Sequence, residues 1–357
     1  MSVVRSGPFG LGCAQLGNLH HAISDDDAFE LLAAAWDVGV RWFDTAPHYG
    51  LGLSEQRLGA FLRSKPRHEF TLSTKVGRLL VPSPGGEHTR DDEGFDVPAT
   101  FRREWDFSAS GILRSLGASC ERLGLASIDV ALIHDPIDHL ATAIDDAYPA
   151  LESLRAQGSL GAIGVGTRDT GILTRFVQET DIDVVMLAGR YTLLDQTALV
   201  DLFPACARRG VRVLNAGIFN SGVLASPEPP TDATFEYLAA PAGILDRARA
   251  IARVCTEHGT SLPAAALAFA LAHPVVASIV VGAATALQVR ENRALLETPP
   301  PTDLWAALVE QHLLAPGVHP PAAHLTSAGG SGAEDCRCGA VGGERDGESF
   351  REERRTR

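Results

Sequence analysis

Little in this chain of 357 residues points to a membrane, a nucleic acid or an oxidising compartment. No stretch approaches the roughly 20 uninterrupted apolar residues that a spanning helix requires. Residues 1–12 lack a basic start followed by a long apolar run, so no signal peptide is expected. Positive charge is in deficit: 31 Lys and Arg stand against 44 Asp and Glu, a formal net charge of −13. A phosphate backbone or an anionic bilayer needs a basic face, so neither nucleic acid nor membrane is an expected partner. Cysteine is sparse. Cys13, Cys120, Cys206 and Cys255 fall singly within strand-like or helix-like segments, which reads as free thiols in a reducing compartment and makes the cytoplasm the expected location. Cys336-Arg337-Cys338 has no partner cluster at finger spacing, so no metal site is expected. A dinucleotide fingerprint is also missing. Gly10-Leu11-Gly12 lacks the third glycine and the helix of G-x-G-x-x-G, which excludes a Rossmann reading.

What the chain does have is alternation. Segments 9–13, 40–43, 70–73, 128–133, 161–165, 184–187, 211–214 and 278–281 are short and apolar, most of them rich in β-branched residues. They lack the polar-apolar alternation of a one-faced sheet, as parallel strands buried on both sides do. Between them, segments 25–38, 112–123, 141–157, 170–179, 197–208, 244–258 and 287–296 carry helical spacing. In the first, Phe29, Leu32, Ala33 and Trp36 are expected on one face, with Ser24 as the cap before an acidic first turn. Eight strands alternating with helices predict a closed (β/α)8 TIM barrel over residues 1–316. Residues 78–107 form a long polar insertion after the third strand, and barrel active sites are built from such loops. Residues 317–357 are expected to lie outside the barrel. From Pro320 onwards Gly, Ser, Glu and Arg dominate, the composition of a disordered tail.

Four side-chain types leave the ends of early strands. Asp44 and Tyr49 lie in Asp44-Thr45-Ala46-Pro47-His48-Tyr49-Gly50, Lys75 ends a run from Thr71, and His134 follows Val130-Ala131-Leu132-Ile133. Taken singly, Asp44 reads equally well as a loop cap, Tyr49 as packing and His134 as a strand-end cap. Together they bring a carboxylate, phenol, amine and imidazole to one rim, which suits moving a proton at an oxygen while a hydride moves at the attached carbon. A neighbouring ammonium anchored by a carboxylate is expected to favour the phenolate.

These residues resemble the aldo-keto reductases, and within them the D-threo-aldose 1-dehydrogenase group, which includes L-fucose dehydrogenase-like and pyridoxal 4-dehydrogenase-like enzymes. The resemblance covers residues 11–297. It rests on the Asp44–Gly50 signature and its continuation Leu53-Ser54-Glu55-Gln56-Arg57-Leu58-Gly59, on Thr74-Lys75-Val76-Gly77-Arg78, and on Ile128 to Pro136 around His134. Trp105-Asp106-Phe107-Ser108, Ile163-Gly164-Val165-Gly166 and Ala188-Gly189-Arg190-Tyr191-Thr192-Leu193-Leu194 point to the group. The resemblance implies Tyr49 as general acid–base, Lys75 as the group lowering its pKa, Asp44 as the lysine's anchor and His134 as the orienting donor. It places Tyr191 near a nicotinamide. It implies phosphate contacts from Asn215, Gly217, Phe219, Asn220 and Gly222 after the seventh strand and from Gly282, Ala283 and Thr285 at the start of the last helix. Gln288 stands nearby, and Glu291 and Asn292 match the pair that contacts the adenine.

Departures from the family pattern carry information. Gly282 and Gln288 replace the Lys and Arg that many NADP-using members hold against the 2′-phosphate, which favours NAD; Arg290 and Arg293 leave NADP open. Ala188 replaces a nicotinamide-binding Gln, and Thr167 and Arg168 replace a Ser/Thr-Asn pair, leaving Arg168 a charge without an assigned partner. The implied function is NAD(P)-dependent oxidation of an aldose, of L-fucose or D-threo type, at C1 to a lactone. The substrate is a small sugar or aldehyde. Pyridoxal oxidation and general aldehyde or ketone reduction are the alternatives. A Schiff-base aldolase using Lys75 and a non-catalytic nucleotide-sensing subunit are the more distant ones. Substrate choice is expected to reside in residues 78–107 and 224–241. The sequence leaves the oligomeric state open.

Overall fold

The computed structural model describes residues 7–315 and 318. The segment expected as a disordered tail, residue 318 apart, lies outside the described residues, as does Cys336-Arg337-Cys338. Eight parallel strands close a barrel: β1 (Phe9–Gly12), β2 (Trp42–Asp44), β3 (Thr71–Val76), β4 (Val130–His134), β5 (Ala162–Thr167), β6 (Val184–Ala188), β7 (Arg212–Ala216) and β8 (Val276–Gly282). Each strand pairs with its neighbour in sequence, and β1 closes on β8 with Gly12 opposite Gly282. This is the (β/α)8 architecture that the eight apolar runs predict, and each run overlaps one strand.

The helices that cover the outside are α1 (Asp25–Asp37), α2 (Leu53–Leu62), α3 (Ala109–Leu123), α4 (Tyr148–Ala156), α5 (Thr170–Glu179), α6 (Leu202–Arg209), α7 (Ala242–Glu257), α8 (Leu262–Leu271), α9 (Ala286–Glu297) and α10 (Asp303–Glu310). Ser24 caps α1 through a reciprocal box: its hydroxyl oxygen accepts the Asp27 N–H at 3.1 Å, and the Asp27 carboxylate accepts the Ser24 N–H at 3.3 Å. The buried stripe of α1 is Ala28, Leu31, Leu32, Ala34 and Ala35. Of the expected face, Leu32 is buried and Ala33 and Trp36 pack against the core, whereas Phe29 is 57% exposed and meets the edge of Phe61. Ala28, Ala34 and Ala35 add contact surface beside the leucines. The segment expected as one helix over 141–157 contains a π turn at Ala143–Ala147, and that expected over 197–208 is a short 3-10 turn followed by α6.

The inside of the barrel is filled by Trp42, Val130, Leu132, Ala162, Val184, Met186, Leu214 and Val280. The Trp42 indole occupies the space because Gly10 faces it; a Cβ on Gly10 would lie 3.2 Å from Trp42 Cβ. This interior is a packed core with no passage through it. Phe43, Ala131, Ile133, Val185 and Val213 point outwards into the larger core beneath the helices. Side-chain alternation along each strand separates the two.

Two hairpins stand on the C-terminal face. In the first, Arg78–Pro82 pairs antiparallel with Phe101–Trp105, within the segment that the sequence marked only as a polar insertion. The second is short, Thr234–Phe235 with Leu238–Ala239, and turns through Glu236 and Tyr237, both in the left-handed region.

Candidate active site

The inward-facing residues of β2 are Trp42 and Asp44, of β3 Ser73 and Lys75, and of β4 Val130, Leu132 and His134. A period of two from the barrel core thus delivers Asp44, Lys75 and His134 to the C-terminal mouth. All three are buried. Lys75 Nζ donates to Asp44 Oδ2 at 2.6 Å and to the Thr45 carbonyl at 3.0 Å. The other carboxylate oxygen accepts from Ser73 Oγ at 2.8 Å, and Ser73 Oγ in turn accepts from Trp42 Nε1 at 3.0 Å. A relay of three side chains therefore ties the ammonium to the barrel floor. Ser73 and Trp42 carried no signal as site residues in the sequence, because hydroxyls and indoles in apolar strands read as packing.

Burial alone would lower the Lys75 pKa; the adjacent Asp44 carboxylate, with Tyr49, outweighs it and raises the value, so the ammonium keeps its proton. Its Nζ lies 4.9 Å from the centre of the Tyr49 ring. Tyr49 sits on the β2–α2 loop, whose backbone is pressed against Gly17. A Cβ on Gly17 would come within 2.5 Å of the Tyr49 carbonyl carbon, and one on Gly50, whose φ is +62°, within 2.2 Å of Gly17 O. Only glycine at both positions allows this approach. Lys75 acts on the phenol in the expected direction, lowering its pKa, but it does not set the outcome. Burial is the larger influence, and although Lys75 pulls the other way, the Tyr49 pKa is pushed up to about 12. Desolvation exceeds the attraction of the ammonium because Asp44 cancels much of that charge.

His134 completes the arrangement, its ring centre 6.2 Å from that of Tyr49 and perpendicular to it. Burial, then the cations Arg78 and Lys75, hold its pKa well below the usual imidazole value, so the ring is neutral. Its Nδ1 is buried without a partner, and its Nε2 lies 3.5 Å from Asp135 Oδ2. With a neutral ring this contact is a dipole–charge interaction, which favours the proton on Nε2.

Around these four lies a rim that the sequence left unassigned. Arg78, at the start of the first hairpin, donates to Asp135 Oδ2 at 2.6 Å and to His48 Nδ1 at 3.2 Å. Its guanidinium lies 4.3 Å from the centre of the Trp105 ring. Arg103, from the other hairpin strand, pairs with Asp91 and donates to the His48 carbonyl at 2.9 Å. Phe95, from the same insertion, packs against Tyr49 and His48. Arg168, without an assigned partner in the sequence, pairs with Glu236 at 3.6 Å, and Arg190 reaches the same carboxylate. The second hairpin thereby links the loops after β5, β6 and β7, while the Tyr237 ring packs against His20 from the loop after β1. His48, Arg78 and Asp135 were visible only as neighbours within the quoted motifs.

The residues expected at a cofactor divide into two sets. Tyr191 is fully enclosed between Phe203, Phe269 and His273 behind the barrel wall, so it does not face the mouth. Asn215 points outwards too, its Nδ2 donating to the carbonyls of Tyr191 and Ala270 at 3.0 and 3.1 Å. Both belong to the packing between barrel and helices; strand parity puts Asn215 on the face opposite Leu214. Gly217, Phe219, Asn220 and Gly222 do line the turn after β7, with Asn220 Nδ2 donating to Gly189 O at 3.3 Å. Gly282 is exposed in open space and Ala283 is buried. Thr285 caps α9 by accepting the Gln288 N–H, and Gln288 Oε1 accepts the Ala284 N–H at 2.7 Å. The Thr285, Ala286 and Leu287 amides have no partner. A helix start with free amides beside an uncovered glycine fits a phosphate group. Glu291 is exposed and Asn292 half-buried on the same helix.

Among the described residues, no group of three or more His, Cys, Asp or Glu is placed to hold a metal ion, and no helix is long and apolar enough to cross a membrane. Cys13, Cys120, Cys206 and Cys255 are free thiols.

The model of the aldo/keto reductase family matches residues 8–312. The chain is 49% identical over 310 residues to a D-threo-aldose 1-dehydrogenase from a Pseudomonas species, covering 85% of this chain and 94% of that one. It is 37% identical to a pyridoxal 4-dehydrogenase from Microbacterium luteolum, covering 86% and 94%. Among solved structures, an aldo-keto reductase from Bacillus halodurans superposes with a TM-score of 0.66 at 26% identity, over 86% of this chain and 90% of that one.

Proposed function

The chain belongs to the aldo/keto reductase family and is a nicotinamide-dependent oxidoreductase; from that premise we propose that it oxidises an aldose at C1 to the lactone. The observation that carries this reading is the sealed Asp44–Lys75 pair beneath Tyr49, facing His134, in a chain half identical to a D-threo-aldose 1-dehydrogenase. Tyr49 takes the proton from the C1 hydroxyl, and Lys75 stabilises the phenolate that this requires. His134 Nε2–H holds the same oxygen in line. Asp44, fixed by Ser73 and Trp42, keeps Lys75 charged and in place. When bound, the nicotinamide supplies the acceptor for the hydride leaving C1.

The turn at Gly217–Gly222 and the start of α9 at Gly282, Ala283 and Thr285 are the proposed cradle for its phosphates, with Glu291 and Asn292 next to the adenine. We assign NAD as the preferred cofactor. Gly282 and Gln288 carry no charge for a 2′-phosphate, Gln288 is engaged in capping α9, and Arg293 is paired with Glu297 at 3.2 Å. Arg290 is the remaining cation on this helix from which an NADP clamp could be built.

The relative that acts on pyridoxal supports a second reading, pyridoxal oxidation at the same site. The geometry opposes a Schiff base at Lys75, since that chemistry needs a free amine and this one is held by a carboxylate and a carbonyl. The deciding experiment follows nicotinamide absorbance with NAD and NADP against a panel of aldoses, pyridoxal and simple aldehydes. Aldose-dependent reduction of NAD is the expected result. Turnover of pyridoxal without turnover of any aldose would replace the first reading by the second.

A further inference from the structure

Beside the proton-transfer residues, one guanidinium holds two more polar side chains at the mouth. Arg78 is buried, lies against Trp105, and uses its two terminal nitrogens on different loops: Nη1 on His48 Nδ1 and Nη2 on Asp135 Oδ2. A planar fork of this kind fixes both partners at once. Since His48 Nδ1 accepts, the proton of the neutral ring sits on Nε2 and makes that atom a donor. His48 Nε2 and Asp135 Oδ1 make no protein hydrogen bond, yet neither is among the buried atoms left unpaired. Both are therefore open at the mouth. The His48 ring centre is 5.6 Å from that of His134 and 5.9 Å from that of Tyr49. Asp135 takes a left-handed backbone conformation, φ +43°, and its amide donates to Gly166 O at 3.0 Å. A non-glycine residue held in that region beside a reacting centre is strain retained by its surroundings.

We propose that Arg78 positions His48 and Asp135 as a donor–acceptor pair for the hydroxyl groups next to the reacting carbon, so that the site selects polyhydroxylated substrates over plain aldehydes. A polyol offers hydroxyls that both give and take a hydrogen bond, and so satisfies a donor and an acceptor fixed beside Tyr49 and His134. A plain aldehyde leaves both unpaired after displacing their water, and a site built to bind hydroxyls discriminates strongly against analogues lacking them. This deepens the reading above and rests on it only for the position of the reacting carbon.

The test compares glyceraldehyde with propionaldehyde, equal in length and differing in hydroxyls, in the reductive direction with NADH and NADPH. In the unmodified enzyme kcat/KM should favour glyceraldehyde by about tenfold or more. Asp135→Asn removes the carboxylate and should reduce that preference about tenfold, mainly through the KM of glyceraldehyde. His48→Phe keeps the ring and removes the donor, and should do the same; it serves in place of Asp135→Asn should that variant not fold. Melting temperatures of both variants are recorded alongside. Loss of activity towards both aldehydes in equal proportion would make the pair structural and overturn the proposal, as would an unmodified enzyme with no preference. Failure of the unmodified enzyme to oxidise any aldose would remove the proposed function without touching this comparison, which uses neither ring closure nor lactone formation.

Discussion

Lys75 Nζ is 2.6 Å from Asp44 Oδ2, and both side chains are 97% removed from solvent. A buried pair of this kind adds little net stability over an apolar pair, but removing one partner strands the other charge. Asp44→Ala is expected to cost about 3–5 kcal/mol of stability and to lower the Lys75 pKa, since burial is then opposed by Tyr49 alone. Chemical denaturation of the variant checks the first, and a raised pH optimum for oxidation would accompany the second.

Tyr49→Phe should leave cofactor binding nearly intact and reduce turnover by about 10²–10⁴-fold, the usual contribution of a general acid–base. Stopped-flow measurement of the chemical step, beside cofactor titration by fluorescence quenching, separates the two effects. A loss below about tenfold would reject Tyr49 as the proton carrier.

With its pKa pushed up to about 12, Tyr49 holds its proton through the neutral range. Oxidation needs the phenolate, so kcat/KM for oxidation should climb with pH through the neutral and mildly alkaline range, while reduction, which needs the phenol, should stay flat there. Lys75→Met should move the oxidation profile further upwards, because the one influence lowering the phenol pKa is gone. An oxidation profile that is flat from pH 6 to pH 9 would contradict this assignment.

His48 has its pKa pushed down to about 2 by burial and by Arg78, Arg103 and Lys75. Between that value and 6.5 the unfolded chain binds a proton that the folded one does not, so stability falls as the pH drops below about 6.5, by up to about 1.4 kcal/mol per pH unit for each such histidine. His134 acts in the same direction. Melting temperature should therefore decline between pH 7 and pH 5, and less steeply in His48→Gln than in the unmodified chain.

Gly282 stands in open space, so a lysine fits there without strain. Gly282→Lys is expected to shift kcat/KM towards NADP by about one to two powers of ten, the equivalent of a charge-assisted contact of about 1.5–3 kcal/mol. Gln288→Arg is the less clean change, because it also removes the acceptor for the Ala284 N–H. A preference for NADP of tenfold or more in the unmodified enzyme would show that Arg290 supplies the clamp.

The barrel was legible because its strands are buried on both faces and read as unbroken apolar runs. The inward direction of Asp44, Lys75 and His134 follows from the same parity. α8 was illegible for the opposite reason: from Leu262 to Ala270 every residue is buried, so no amphipathic stripe marks it. The strand Phe101–Trp105 is mostly exposed and bears three charges, leaving no hydrophobic signature for a two-stranded ribbon. Tyr191 shows the limit of motif matching. It occupies a plausible place in the sequence, and the direction of its side chain is set by Phe203 and Phe269, more than ten residues away. His48, Arg78 and Asp135 depend on a contact between three loops, which no local pattern encodes.

The Trp42 plug under Asp44 has a consequence for traffic. With indole, valines and methionine filling the barrel below the reacting groups, the site is a well with a floor, and whatever reaches Tyr49 arrives and departs by the same opening. A spent molecule must vacate before a fresh one can descend. Anything that narrows the rim slows arrival and departure alike, so the residence time of product, set by the same loops that admit substrate, becomes a natural brake on the rate at which the enzyme cycles.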